Sequence, residues 1–252
     1  MKGQSEKNMT LSGHLRELRN RLVVCIICLV VSFLAGLHYA ENIVDILTDI
    51  GKAYGYTFVF IAPQELLLQY FSVAMLAAVC ITLPVILYQI WAFVQPGLKK
   101  NENMLFLSAL FFGLVFFVIG VIFAYKIMLP FMLNFLISLS AGSDVTASIS
   151  VQNYISFLLT IFMIMGIVFE LPVIAVLLTQ LGLVKVAWMK KARKAVIVII
   201  FLIAAVITPP DIVSQIMVAF PMIGLYELSI VICVFLQKLK RKKRSEEAAD
   251  EE

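Results

Sequence analysis

The chain has 252 residues, 62% of them hydrophobic and only 14% charged, with 20 Lys and Arg against 16 Asp and Glu. A water-soluble domain of this length needs far more charge to cover its surface, so the soluble classes are excluded. Apolar runs long enough to cross a bilayer instead predict an all-α, polytopic membrane protein. Cys25, Cys28, Cys80 and Cys233 all lie inside apolar runs. They read as small packing residues, with neither a disulfide nor a metal site expected.

Residues 1–8 are polar and are expected to be loose. Leu11, Leu15, Leu18 and Leu22 then share one helical face, with His14, Arg16, Glu17, Arg19, Asn20 and Arg21 around the rest. Residues 9–21 therefore predict an amphipathic helix on the membrane surface. A first span follows over residues 22–37, without the small-residue pattern of a cleavage site, and reads as retained. Residues 38–69 predict an external cap of short helices, since Glu41, Asp45 and Asp49 alternate with Ile43, Ile46, Leu47 and Ile50. Pro63 is placed to open the next helix.

Span two covers residues 71–94 with Pro84 as a kink, and Pro96-Gly97 closes it in a tight turn. Span three covers residues 104–126. Residues 131–153 predict a second external excursion, turning at Gly142-Ser143-Asp144. Span four, residues 161–178, carries Glu170 near its middle and Pro172 two residues later. An ionised side chain at that depth costs at least about 2.5 kcal/mol, so it is expected to face protein or water.

Lys185, Lys190, Lys191, Arg193 and Lys194 form a basic loop before span five. Residues 195–207 alone are continuously apolar there, about 20 Å of helix against a hydrocarbon core of about 30 Å. So short a span is expected to thin the bilayer or to be shielded by a partner. Thr208-Pro209-Pro210-Asp211 makes a hard turn with Asp211 placed to cap span six, residues 212–236, which Gln215, Pro221 and Glu227 interrupt. The membrane domain thus covers residues 1–237. Residues 238–252, basic and then acidic, read as a disordered tail.

Six spans put both termini on one side. Of the Lys and Arg, only Lys52 and Lys126 fall in or beside the external segments, which orients both ends toward the cytoplasm. No internal repeat of the transporter kind is apparent.

Glu170 reads either as a bundle-stabilising carboxylate or as a polar site met by another transmembrane helix, with Gln215 a candidate to share it. Tyr226-Glu227 reads as a bundle contact or an interface. Glu17 can pair with Arg21 one turn on, and Glu102 can sit against the dipole of span three beside its cap Asn101. Alternatively, the two carboxylates hold guanidinium groups of an incoming peptide bidentately. Tyr88, Trp91 and Phe93 read as an interfacial anchor. No His-Glu-x-x-His, Gly-x-Ser-x-Gly or phosphate-cradling glycine loop occurs, so an enzyme is not expected and no cofactor is called for.

Together these pieces resemble one family, TatC, the core receptor component of the twin-arginine (Sec-independent) protein translocase. The resemblance rests on His14-Leu15-Arg16-Glu17-Leu18-Arg19-Asn20-Arg21 and on the run from Pro84 through Tyr88, Trp91 and Phe93 to Pro96-Gly97-Leu98. It continues through Phe169-Glu170-Leu171-Pro172, Thr208-Pro209-Pro210-Asp211, and Gln215 through Pro221 to Leu225-Tyr226-Glu227. These occur in the family's order over almost the whole chain.

The resemblance implies a cup-shaped bundle of six helices in the bacterial inner membrane, receiving signal peptides with paired arginines. Glu17, Glu102, Arg19 and Phe93 are similar to that recognition patch. Glu170 and Gln215 resemble the site where single-span TatA or TatB helices dock, with Tyr226 and Glu227 on the same span. It also implies self-association, folded cargo and use of the proton-motive force. Asn103 departs from the basic residue the family commonly has after the glutamate. The competing class is a secondary transporter using Glu170 as a proton or cation site.

Overall fold

The computed structural model describes residues 11–95, 100–140, 148–208 and 211–250. Helix α1, Leu11–Ala53, is followed by strand β1, Thr57–Val59, and α2, Glu65–Val94. Then come α3, Lys100–Phe123, a π-helical turn Ala124–Met128, α4, Leu129–Ser140, and strand β2, Ser148–Ser150. The chain ends with α5, Val151–Phe169, α6, Leu171–Gln180, α7, Val186–Ile207, and α8, Ile212–Asp250. The architecture is all-α and polytopic, apart from a two-stranded parallel pairing of Thr57 with Ser148 and Val59 with Ser150.

Among the described residues, five helical stretches are long and apolar enough to cross a membrane. They begin at Gly13, Glu65, Asn103, Val151 and Ile212. Helix α7 falls short because Lys190, Lys191, Arg193 and Lys194 occupy its first half. The helix extends the basic loop expected before span five, which is helical from Val186 on.

Three boundaries differ from expectation. No separate surface helix precedes the first span: residues 11–21, the span and the expected cap segment up to Ala53 are one helix of 43 residues. At 1.5 Å per residue it is about 65 Å long, roughly twice the hydrocarbon thickness. No proline interrupts it, and its last turns keep a buried stripe of Ala40, Val44, Leu47 and Thr48, so the packing partner changes while the helix does not. Span three likewise continues into α4. Pro130 cannot donate to the carbonyl one turn back, and the wider π turn just before it absorbs that lost bond. The turn Gly142-Ser143-Asp144 lies outside the described residues, as do Pro96 and Pro209.

Helix α8 continues through residues 238–250; Lys, Arg, Glu and Ala there are strong helix formers.

Membrane helices lack a hydrophobic drive toward each other and rely on close backbone approach. Here α3 meets α5 through glycines. A Cβ at Gly120 would stand 2.7 Å from the Met165 carbonyl oxygen, and one at Gly166 would stand 2.6 Å from the Phe117 ring. Gly36 lets α1 lie against the Ala74 backbone of α2 in the same way, at 3.0 Å. The core then fills with Leu129, Met132, Ile155, Leu158, Ile161 and Met165, all fully buried.

The end of the bundle opposite the N-terminus is tied by polar side chains. Tyr154 donates to Leu47 O at 2.9 Å and Tyr56 to Leu133 O at 3.2 Å. Ser150 caps α5 by accepting from the Gln152 and Asn153 amides, and donates to Glu65, which also accepts from Ala62 N. A Gly120→Val variant should lose about 1–3 kcal/mol by overpacking and show a lower thermal midpoint in detergent. Gly224→Ala, with nothing within 4 Å of the new methyl, should leave that midpoint unchanged or raise it.

Candidate functional site

Two groups of polar residues stand out: a rim at the N-terminal end of the bundle, and a carboxylate deep between α3, α5 and α6.

At the rim, residues 14, 17 and 21 share one face of α1, the i,i+3,i+7 stripe turned to α2. Arg21 reaches Glu17 Oε1 through Nε at 3.0 Å and through Nη2. The same guanidinium donates to Gln89 Oε1 at 3.2 Å and to the Ala92 carbonyl at 2.9 Å. One cation therefore bolts α1 to the last turns of α2. His14 stacks on the Phe93 ring with centroids 4.1 Å apart, and its Nδ1 lies 3.8 Å from Glu17 Oε2. That second oxygen is buried and, among the described residues, accepts no hydrogen bond. Glu17 also lines an open cavity of about 420 Å³ with Arg16, Asn20, Arg21 and Gln89.

The structure thus brings together Glu17, Phe93 and Arg21, and adds His14 and Gln89, which the sequence reading did not assign to a site. Gln89 had a signal, being an amide inside an otherwise apolar span. Arg19 does not join them. It lies two residues from Glu17, on the far side of α1, exposed, where among the described residues its one hydrogen bond is to the Asn20 amide oxygen at 3.5 Å. Glu102 belongs to the first turn of α3, and its side chain lies outside the described residues. The next residue, Asn103, accepts from Trp91 Nε1 at 2.9 Å and ties that turn to the end of α2.

The deep carboxylate sits at a break. Glu170 ends α5 and begins α6 with φ −73° and ψ −17°. Pro172 follows at the start of α6; lacking an N–H, it cannot continue the ladder from α5. Glu170 is half-buried over Gly113 of α3, where a Cβ would come within 2.9 Å of Oε2. Among the described residues no donor reaches its carboxylate. Phe169 before it and Pro172 after it line two different apolar cavities, of about 630 and 380 Å³.

Gln215 is not in that environment. Its Nε2 donates to the Phe201 carbonyl of α7 at 3.0 Å. Tyr226 and Glu227 make contacts within the bundle: the Tyr226 hydroxyl donates to Met189 O at 2.9 Å, and Glu227 pairs with Arg193 at 2.7 Å. Asp211 Oδ1 accepts from the Ser214 amide at 2.7 Å, an N-cap of α8. Pro84 lies inside α2 and Pro221 inside α8. No group of His, Cys, Asp and Glu among the described residues could hold a metal.

A family model described as Sec-independent protein translocase protein (TatC) matches residues 13–221. The chain is 38% identical over 241 residues to the Sec-independent protein translocase protein TatC of Helicobacter pylori strain J99, covering 95% of each. It is 36% identical to the TatCy protein of Bacillus subtilis strain 168, covering 96% of this chain and 94% of the relative. The fold is similar to the crystal structure of the twin arginine translocase receptor TatC, with TM-score 0.78, 35% identity, and 88% of this chain and 98% of that one covered.

Replacing Arg21 with Met removes its hydrogen bonds to Glu17, Gln89 and the Ala92 carbonyl. The Arg21→Met variant should lose about 1.5–3 kcal/mol, the worth of hydrogen bonds to a charged group, read as a lower midpoint in detergent unfolding. Arg19→Met should unfold as the unaltered protein does.

Proposed function

The chain belongs to the TatC family and is a component of the Sec-independent protein translocase, and from that premise we propose that it is the signal-peptide receptor of this system. It lies in the bacterial inner membrane with six crossings and both termini in the cytoplasm. Signal peptides bearing paired arginines bind at the rim formed by Glu17, Phe93 and Glu102. Single-span TatA or TatB proteins meet it at Glu170, and folded cargo crosses at the expense of the proton-motive force.

The observation that carries the receptor reading is the half-occupied carboxylate of Glu17. Arg21 fills Oε1 from within the chain, while Oε2 is buried beside an open cavity and accepts no hydrogen bond among the described residues. A buried carboxylate oxygen without a partner is costly, and a guanidinium from outside is the donor that satisfies it best. Phe93 and His14 supply a flat stacked surface alongside, suited to the planar face of a second guanidinium. Lysine would offer a point charge without the planar face that stacks on an aromatic ring, which accounts for a preference for arginine.

Glu170 supports the second half of the reading. Its carboxylate has a slot over Gly113 but no donor, so a polar side chain on a partner's helix would complete it. Tyr226 and Glu227, already engaged with Met189 and Arg193, hold the frame beside that site.

Crosslinking of a paired-arginine signal peptide to the purified protein should fall about tenfold or more in Glu17→Ala and in Glu102→Ala, the loss expected for one charge-assisted contact. Equal crosslinking of the peptide and its Lys-Lys variant to the unaltered protein would overturn the assignment. Glu170→Ala should keep peptide crosslinking and lose crosslinks to a single-span partner's transmembrane helix. Unchanged partner crosslinks would rule out the docking role.

A further inference from the structure

Where α7 meets the cytoplasmic half of α8, a cavity of about 360 Å³ is lined by Lys190, Arg193 and Lys238 together with Ile230, Val231, Val234 and Phe235. It lies apart from both groups described above. Arg193 is already paired with Glu227, whereas neither Lys190 nor Lys238 has an ion-pair partner among the described residues. Val231 and Phe235 are 61% and 60% exposed, large apolar side chains standing open beside these cations.

The arrangement follows from a mismatch in helix length. The charge-free part of α7, residues 195–207, measures about 20 Å, while residues 212–236 of α8, charged only at Glu227, measure about 37 Å. The two helices pack side by side, pinned by Tyr226 to Met189 and by Arg193 to Glu227. The cations of α7 therefore stand against an apolar stretch of α8 rather than beyond its end. A ligand that suits this place must neutralise lysines and cover Val231 and Phe235 at once. A soluble phosphate does only the first, and a zwitterionic lipid brings a cation of its own to three already present. An anionic lipid does both, and basic pockets between helices on the cytoplasmic side are the usual setting for such headgroups.

We propose that this cavity binds one anionic diacyl phospholipid, its phosphate between Lys190 and Lys238 and its acyl chains along Val231 and Phe235. The bound headgroup sits below the ordinary surface of the leaflet, so the lipid itself carries the local thinning that a short α7 demands. The site does not depend on what occupies Glu17 or Glu170.

The test uses the full chain in detergent micelles doped with phosphatidylglycerol or phosphatidylcholine, with retained lipid read by native mass spectrometry. The unaltered protein should retain one phosphatidylglycerol at a doping level where phosphatidylcholine is lost. The Lys190→Gln, Lys238→Gln double variant should bind it about 30-fold more weakly, close to the attraction expected for two lysines at a membrane surface, with an unchanged thermal midpoint. Phe235→Ser should also weaken retention, and Lys52→Gln, at the other end of the bundle, should not. Millimolar inorganic phosphate should leave the lipid in place. Equal retention of both lipids would overturn the proposal and leave the groove to a partner's helix. Unaltered retention in the double variant, or displacement by inorganic phosphate, would overturn it as well.

Discussion

The approach of α3 to α5 through glycine is the contact on which the rest of this bundle depends. At Gly120 and Gly166 the missing Cβ lets one backbone lie against the other helix's side chains and carbonyls, which is how helices gain packing energy when the solvent is as apolar as they are. About two turns along α3, Gly113 extends the same slot. There the neighbour is the Glu170 carboxylate. The acid therefore owes its position to a lack of side chain on the opposite helix, not to a paired cation. Pro172 at the start of α6 cannot continue the ladder from α5, so the carboxyl group sits at the joint between the two helices.

The two ends of the bundle handle polarity in opposite ways. On the far side, Tyr56, Tyr154, Glu65 and Ser150 are engaged with backbone groups or with each other, and the short β1–β2 pairing closes the cap. Buried polar groups that are satisfied make a region rigid. At the N-terminal rim Arg21 joins α1 to α2, while among the described residues Glu17 Oε2 accepts no hydrogen bond.

Unequal helix lengths shape the remaining side. Pairing a short apolar α7 with a long α8 forces charged and apolar side chains to the same level, and the surrounding lipid must accommodate both. Leu202, Ile203 and Val206 of α7 and Phe220 of α8 are exposed, apolar and open to lipid or to another protein's helix. The stacking of Lys185 on Trp188 at 5.6 Å marks the interfacial level where α7 begins.

Much of this was legible in one dimension. Hydrophobic run length decided the class, because a bilayer sets a fixed length for any helix that crosses it. Pro172 beside Glu170 located the break, Asp211 the start of α8, and the basic cluster at 190–194 the short apolar part of α7, since each is a local rule of backbone chemistry or charge. Helix continuity was not legible. Whether α1 stops at residue 37 or runs to Ala53 depends on what its later stripe packs against, and that partner is remote in sequence. The same holds for polar pairing. Helical phase put Glu17 with Arg21, but that Arg21 also reaches Gln89 and Ala92, that Arg19 faces away from them, and that Gln215 binds α7 rather than sharing the site of Glu170 were decided by how the helices lie side by side. Local spacing fixes which face a residue is on; only the assembled bundle fixes what that face meets.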